Sequence, residues 1–156
     1  MNKQGQKANS NGKKKENQIK EFLRNRNIPV MTQGVYNKLK VKPKEVFITN
    51  PSYESVYGHK GRSNGQYKKD GVSILRLTQI SQEVPGSVDE KFPYMMENLK
   101  EGQFPEPNQA FLVEGSGFKD GAVAWFKAKC LKYKGKQNVY FFQKPDDLLK
   151  LIDNFA

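Results

Sequence analysis

Between residues 84 and 117 a turn, a helical stripe and a buried strand follow one another, and this succession points the chain to an α/β arrangement. Residues 84–99 read VPGSVDEKFPYMMENL. Gly86-Ser87 makes the turn and Asp89-Glu90-Lys91 a charged triplet. Phe92, Met95, Met96 and Leu99 then recur at i, i+3, i+4 and i+7, the spacing of one apolar helix face. Ala110-Phe111-Leu112-Val113 reads as a buried strand and runs into Glu114-Gly115-Ser116-Gly117.

The same patterns predict the rest. Residues 1–12 hold Asn, Gln, Lys, Gly and Ser with almost nothing apolar and are expected to be a flexible basic arm, with one domain over 13–156. A helix is predicted over about 13–26, with Ile19, Phe22 and Leu23 on its apolar side, stopped by Asn27 and Pro29. Val46 to Thr49 and Val72 to Leu77 read as strands, and 51–70 as a polar stretch in which tyrosines and cations alternate with glycines. Helices are expected over about 89–101 and 119–133, strands over 109–114 and 138–142. Pro145 suits the first turn of a last helix whose core stripe is Leu148, Leu149, Ile152 and Phe155. The order reads αβββαβαβα.

The chain has 156 residues and a formal net charge of +11. So large a cationic excess on one domain points to a polyanion, nucleic acid before an anionic membrane surface. The chain has no apolar run of about 18 residues and no apolar leader, so neither a membrane span nor a secretory signal is expected. Cys130 is the single cysteine, which excludes an internal disulfide and gives no zinc spacing; a cytoplasmic setting is expected.

The GSVDEKFPY…EN segment, followed by a strand, a G-x-G and a helix, resembles the PD-(D/E)XK nuclease superfamily, in particular a restriction-type group with a GSxDEKxPY segment. The resemblance implies a restriction-endonuclease-like fold: a mixed sheet with an αβββαβ core, flanked by helices. It implies Mg²⁺ as cofactor where the protein is active, and double-stranded DNA as partner. It also implies a helix-1 Glu, an acidic residue at the start of the second strand, and an E-x-K on the next strand. Residue by residue, Glu16 matches the helix position, Asn64 the acidic position, and Thr78 and Ile80 the E and K. The resemblance thus keeps the scaffold and substitutes the catalytic residues, since Asn and Thr bring no charge to a metal and Ile cannot replace a cation.

A different set keeps a metal site: Asp70 with Asp89 as ligands and Lys91 as the cation, assisted by Glu16. Lys13, Lys14, Lys15, Lys60, Arg62, Lys68 and Lys69 are the expected nucleic-acid contacts. Three functions follow. One is a DNA-binding protein with a degenerate centre, as a homodimer or beside an active nuclease partner. The second is an active Mg²⁺ endonuclease; the third is an inhibitor or assembly factor for an acidic partner. His59 has no triad partners and reads as a surface residue; Gly115-Ser116-Gly117 lacks a P-loop lysine and reads as a tight turn; Trp125 is expected in the core.

Overall fold

Val72–Ser81, the longest strand of the sheet, organises the computed structural model, which describes residues 18–155. Upstream of it lie helix α1 (residues 18–25), strand β1 (Val30–Thr32) and the short helix α2 (Gln33–Lys38). Strands β2 (Glu45–Thr49), β3 (Ser52–Glu54), β4 (Lys60–Arg62) and β5 (Gly65–Lys69) follow, and Val72–Ser81 is β6. Then come α3 (Lys91–Lys100), β7 (Asn108–Glu114), α4 (Ala122–Lys132), β8 (Asn138–Phe142) and α5 (Pro145–Phe155).

The six-stranded sheet has the order β1-β2-β5-β6-β7-β8, and β3 and β4 form a separate hairpin. β1 joins β2 in parallel at one edge, and the run β2-β5-β6 is antiparallel. β5 turns into β6 through Asp70-Gly71, whose φ angles of 52° and 79° suit a two-residue hairpin turn with both residues left-handed. The run β6-β7-β8 is parallel: β7 pairs with β6 and β8 with β7. Parallel neighbours need a crossover, and α3 and α4 supply them. The path α1–β2–β5–β6–α3–β7 follows the expected αβββαβ order, in a mixed sheet flanked by helices.

Both faces are covered, so β7 is apolar in both registers. Ala110 and Leu112 join Phe47, Tyr67, Leu75 and Leu77 beneath α1 and α5, where Leu23, Leu148 and Ile152 are buried. Phe111, Val113 and Ile80 face the other way, onto Phe92, Met96, Leu99 and Phe126 from α3 and α4. Phe126 stacks on Phe92 at 4.7 Å between centroids and meets Phe111 edge-on at 5.1 Å, geometries that add to their area burial.

Four local readings are corrected. Residues 51–70 are not one polar stretch: they supply the hairpin and the central strand β5, whose Tyr67 is 0% exposed and donates its hydroxyl proton to Glu45 Oε2 at 2.7 Å. β6 runs on to Ser81, because Thr78 and Ile80 are buried too. β1 and α2 lie within residues 29–45, where the sequence patterns predict no helix or strand. Trp125 is 41% exposed: α4 turns Phe126 and Cys130 inward, and Trp125 lies one residue, about 100°, off that stripe. Among the described residues no helix is long and apolar enough to cross a membrane. The expected arm 1–12 lies outside the described residues.

Two packing features fix the middle of the sheet. A Cβ on Gly65 would stand 1.9 Å from Phe47 Cζ, so β5 passes directly over that ring. Gly65→Ala is expected to lose about 1–3 kcal/mol in a urea melt, the range of an overpacked core; unchanged stability would show that the ring has room to move. Arg76, 2% exposed in mid-β6, grips Glu106 of the Pro-rich connector with Nε at 2.6 Å from Oε1 and Nη2 at 3.0 Å from Oε2. Its remaining protons go to Pro51 O, Ser52 O and Ser63 Oγ, which binds the hairpin to the sheet. Gln66 Nε2 donates to Glu106 Oε2 at 2.6 Å.

Candidate functional site

The place where β5 leaves Asn64 and passes β6 gathers polar groups against α1. Asn64 N donates to Leu77 O at 3.0 Å, and Asn64 Oδ1 accepts from Gln79 N at 2.8 Å, so this side chain clamps the start of β5 to β6. Ile19 and Lys20 of α1, with Phe47, Asn64, Leu77 and Gln79, enclose a hollow of about 10 Å³, near the room one water needs.

Alternation decides which β6 side chains reach this spot. Leu75 and Leu77 lie on the α1 face, so Gln79 and Ser81 continue it. Thr78 and Ile80 point to the opposite face, and Ile80 is 2% exposed in the cluster with Phe92, Phe111 and Phe126. Thr78 and Ile80, the residues matched to E-x-K, thus lie on the face of β6 away from Asn64 and α1, since alternate residues of a strand point to opposite faces. The polar pair that shares the α1 face with Asn64 is Gln79 and Ser81. Gln79 Nε2 and Ser81 Oγ are buried and make no hydrogen bond to the described residues. Glu114 ends β7 opposite Ser81 in the parallel register. Glu16, expected one turn before Lys20, lies outside the described residues, as do Lys13, Lys14 and Lys15.

The alternative metal pair does not assemble. Asp70 is in the turn before β6, and Asp89 lies in the loop after it. Ten strand residues at about 3.3 Å each separate the two by roughly 30 Å, far beyond a shared ion. Asp89 is instead a joint between loops: its Oδ1 accepts from Lys119 N at 3.3 Å and Gln82 Nε2 at 3.4 Å. Lys91 stands exposed at the start of α3 beside Ser87 and Tyr94. Among the described residues no three His, Cys, Asp or Glu side chains are grouped to hold a metal.

Gln82 explains why the GSVDEK and GSG segments occur together. Its Nε2 donates to Gly117 O at 2.8 Å, its Oε1 accepts from Val88 N at 2.9 Å, and its backbone O accepts from Gly117 N at 2.8 Å. A Cβ on Gly115 would stand 2.2 Å from Gln82 O, and one on Gly117 2.4 Å from Val84 O. These glycines permit close backbone approach at the carboxyl ends of β6 and β7.

The expected cationic contacts divide into two places. Lys60 and Arg62 are exposed on the hairpin, where Arg62 Nη1 donates to Asn50 O. Lys68 and Lys69 are at the far end of β5: Lys68 Nζ sits 5.3 Å from the Tyr36 ring centroid, and Lys69 Nζ donates to Phe155 O at 2.9 Å. Burial lowers the Lys68 pKa below its ordinary value, partly offset by Glu106. His59 is exposed, its Nδ1 3.3 Å from Ser55 Oγ. Cys130 is no nucleophile, since burial pushes its thiol up to about 12.

Lys20, Gln79, Ser81 and Glu114 stand on the Asn64 side of the sheet, and none of them was among the candidates read from the sequence. A family model described as the PD-(D/E)XK nuclease superfamily domain matches residues 7–154. No curated protein and no solved structure matches the chain.

Proposed function

Because the chain belongs to the PD-(D/E)XK nuclease superfamily, we propose that it is a double-stranded-DNA-binding protein whose nuclease centre no longer cuts. The observation that carries this reading is the donor set at the junction of β5, β6 and α1. Asn64, Gln79 and Ser81 bring two amides and a hydroxyl where a Mg²⁺ nuclease needs carboxylates and a lysine. These neutral groups do not fit a divalent cation: they offer it no charge, and the hollow beside Asn64 and Gln79 has space for about one water. A chain of net charge +11 remains suited to a phosphate backbone whether or not it cuts. Such a protein occupies DNA on its own, as a homodimer, or as the non-cutting subunit beside an active nuclease.

Two measurements test this. A gel shift across a salt series should give log K against log salt a slope of roughly −4 to −5, as for about five phosphate contacts. Binding that ignores salt, or no binding, overturns the DNA reading in favour of an acidic protein partner. Plasmid incubated with the isolated chain in Mg²⁺ or Mn²⁺ should stay intact. Cleavage that disappears in Glu114→Ala would place a working metal centre at the end of β7 and overturn the degenerate-centre reading.

A further inference from the structure

On the other side of the molecule a cleft of about 700 Å³ runs between the β3–β4 hairpin and the outer face of α3. Its charge is opposite to that of the protein as a whole. Glu90, Glu97 and Glu101 line it, with Glu54 of β3 among them. Glu90, Tyr94, Glu97 and Glu101 recur at i, i+4, i+7 and i+11, a stripe opposite the Phe92, Met95, Met96 and Leu99 stripe that α3 buries. All four carboxylates are exposed, and none of them is ion-paired among the described residues. Lys60 stands across the hairpin from Glu54 and Lys91 lies in the adjoining cleft, so the negative charge is concentrated along Glu97 and Glu101.

A second feature marks the same place. Tyr57 is 74% exposed, yet it is held in a stack on Tyr94 with 5.2 Å between ring centroids and 21° between planes. This stack separates the cleft from a neighbouring one of about 390 Å³, so an aromatic face is presented at the mouth of both. An exposed ring next to carboxylates attracts cations by its quadrupole as well as by its area.

The walls are also fixed in advance. Asn98, 0% exposed inside α3, accepts from Val56 N at 2.9 Å through Oδ1 and donates to Tyr94 O at 2.9 Å through Nδ2. Gln103 Nε2 donates to Glu54 O from the far end of the helix. A groove locked to its helix pays little ordering entropy when it is filled.

We propose that this groove is a docking site for an extended, lysine- or arginine-rich segment of a partner protein. Charge complementarity selects that occupant over nucleic acid, whose phosphates the four carboxylates repel. The stripe from Glu90 to Glu101 spans roughly 16 Å, the reach of about five extended residues, which favours a chain segment over a single ion. At physiological salt, fields decay over about 8 Å, so the groove acts on a ligand inside it despite the net positive charge elsewhere. The inference is independent of whether the nuclease centre cuts.

The test is fluorescence anisotropy of labelled octalysine with the full chain at physiological salt. Saturable one-to-one binding is expected, weakened about tenfold by Glu97→Gln/Glu101→Gln together, as for two exposed charge pairs. Tyr57→Ala should weaken it by about threefold. The charge-matched Asp146→Asn/Asp147→Asn variant on α5 should bind as the parent does, and DNA affinity should not fall in Glu97→Gln/Glu101→Gln. Absence of binding, or equal losses in the α3 and α5 variants, overturns the proposal. Equal affinity for spermine overturns the peptide occupant in favour of a small polycation.

Discussion

Arg76→Leu is expected to remove about 3–5 kcal/mol of stability, the cost of stranding one member of a buried ion pair. Glu106 would then sit 1% exposed without the two guanidinium donors, keeping Gln66 and Gln109 as its side-chain donors. The loss should also release the hairpin, because Pro51 O, Ser52 O and Ser63 Oγ lose the same guanidinium. Arg76→Leu/Glu106→Leu should recover part of the deficit, since removing both charges leaves no buried ion. A urea double-mutant cycle gives the coupling, and a double variant no more stable than Arg76→Leu would show that the pair is not the main term. The pH dependence has a definite sign. Burial by itself raises the Glu106 pKa, but the hydrogen bonds and charge of Arg76, with Gln66, bring it below the ordinary glutamate value. The folded state therefore holds fewer protons at this site than the unfolded chain. The contribution is complete above the unfolded pKa of about 4.5 and drains away as pH falls through the lower folded value.

The second large effect lies on β6. Ile80→Lys should abolish folding or lose more than about 4 kcal/mol, because it puts an ammonium among Phe92, Phe111 and Phe126. Ser81→Lys, one residue on and on the α1 face beside Glu114, should lose less than roughly 2 kcal/mol. The contrast is read from thermal melts of the two variants. Comparable stability of the two would show that positions 80 and 81 do not differ in burial as the two faces of β6 require. Building Asn64→Asp/Gln79→Glu/Ser81→Lys then asks whether the α1-facing register regains metal affinity, by calorimetry with Mn²⁺, in a chain that should otherwise show little.

The helices were legible wherever one stripe was wholly apolar and the other wholly polar. Phe92, Met95, Met96 and Leu99 announce α3, and Leu148, Leu149 and Ile152 announce α5. β7 was legible because both its faces are buried. β5 was not, since Gly-Gln-Tyr-Lys-Lys contains one large apolar group. Its place at the centre of the sheet follows from partners distant in sequence, Phe47 below Gly65 and Glu45 for the Tyr67 hydroxyl. Which face of β6 meets α1 was hidden for a related reason. In VSILRLTQIS, Leu75 and Leu77 mark one face and Ile80 the other, so apolar residues alone do not say which face meets α1. Arg76 and Glu106 are 30 residues apart, and neither segment reveals the other.

The antiparallel run β2-β5-β6 and the parallel run β6-β7-β8 also differ in how far apart in sequence their partners lie. The β5–β6 ribbon closes around Asp70-Gly71 with contacts only a few residues apart, a step on the scale of microseconds. β7 reaches β6 only after 26 intervening residues have been ordered, and β8 waits on β7 in turn. A nascent chain therefore presents the Asn64 clamp and the Arg76 side chain on a hairpin before Glu106 or Glu114 has arrived. Contacts as far apart in sequence as those of β6 with β7 close more slowly than those of a two-residue hairpin.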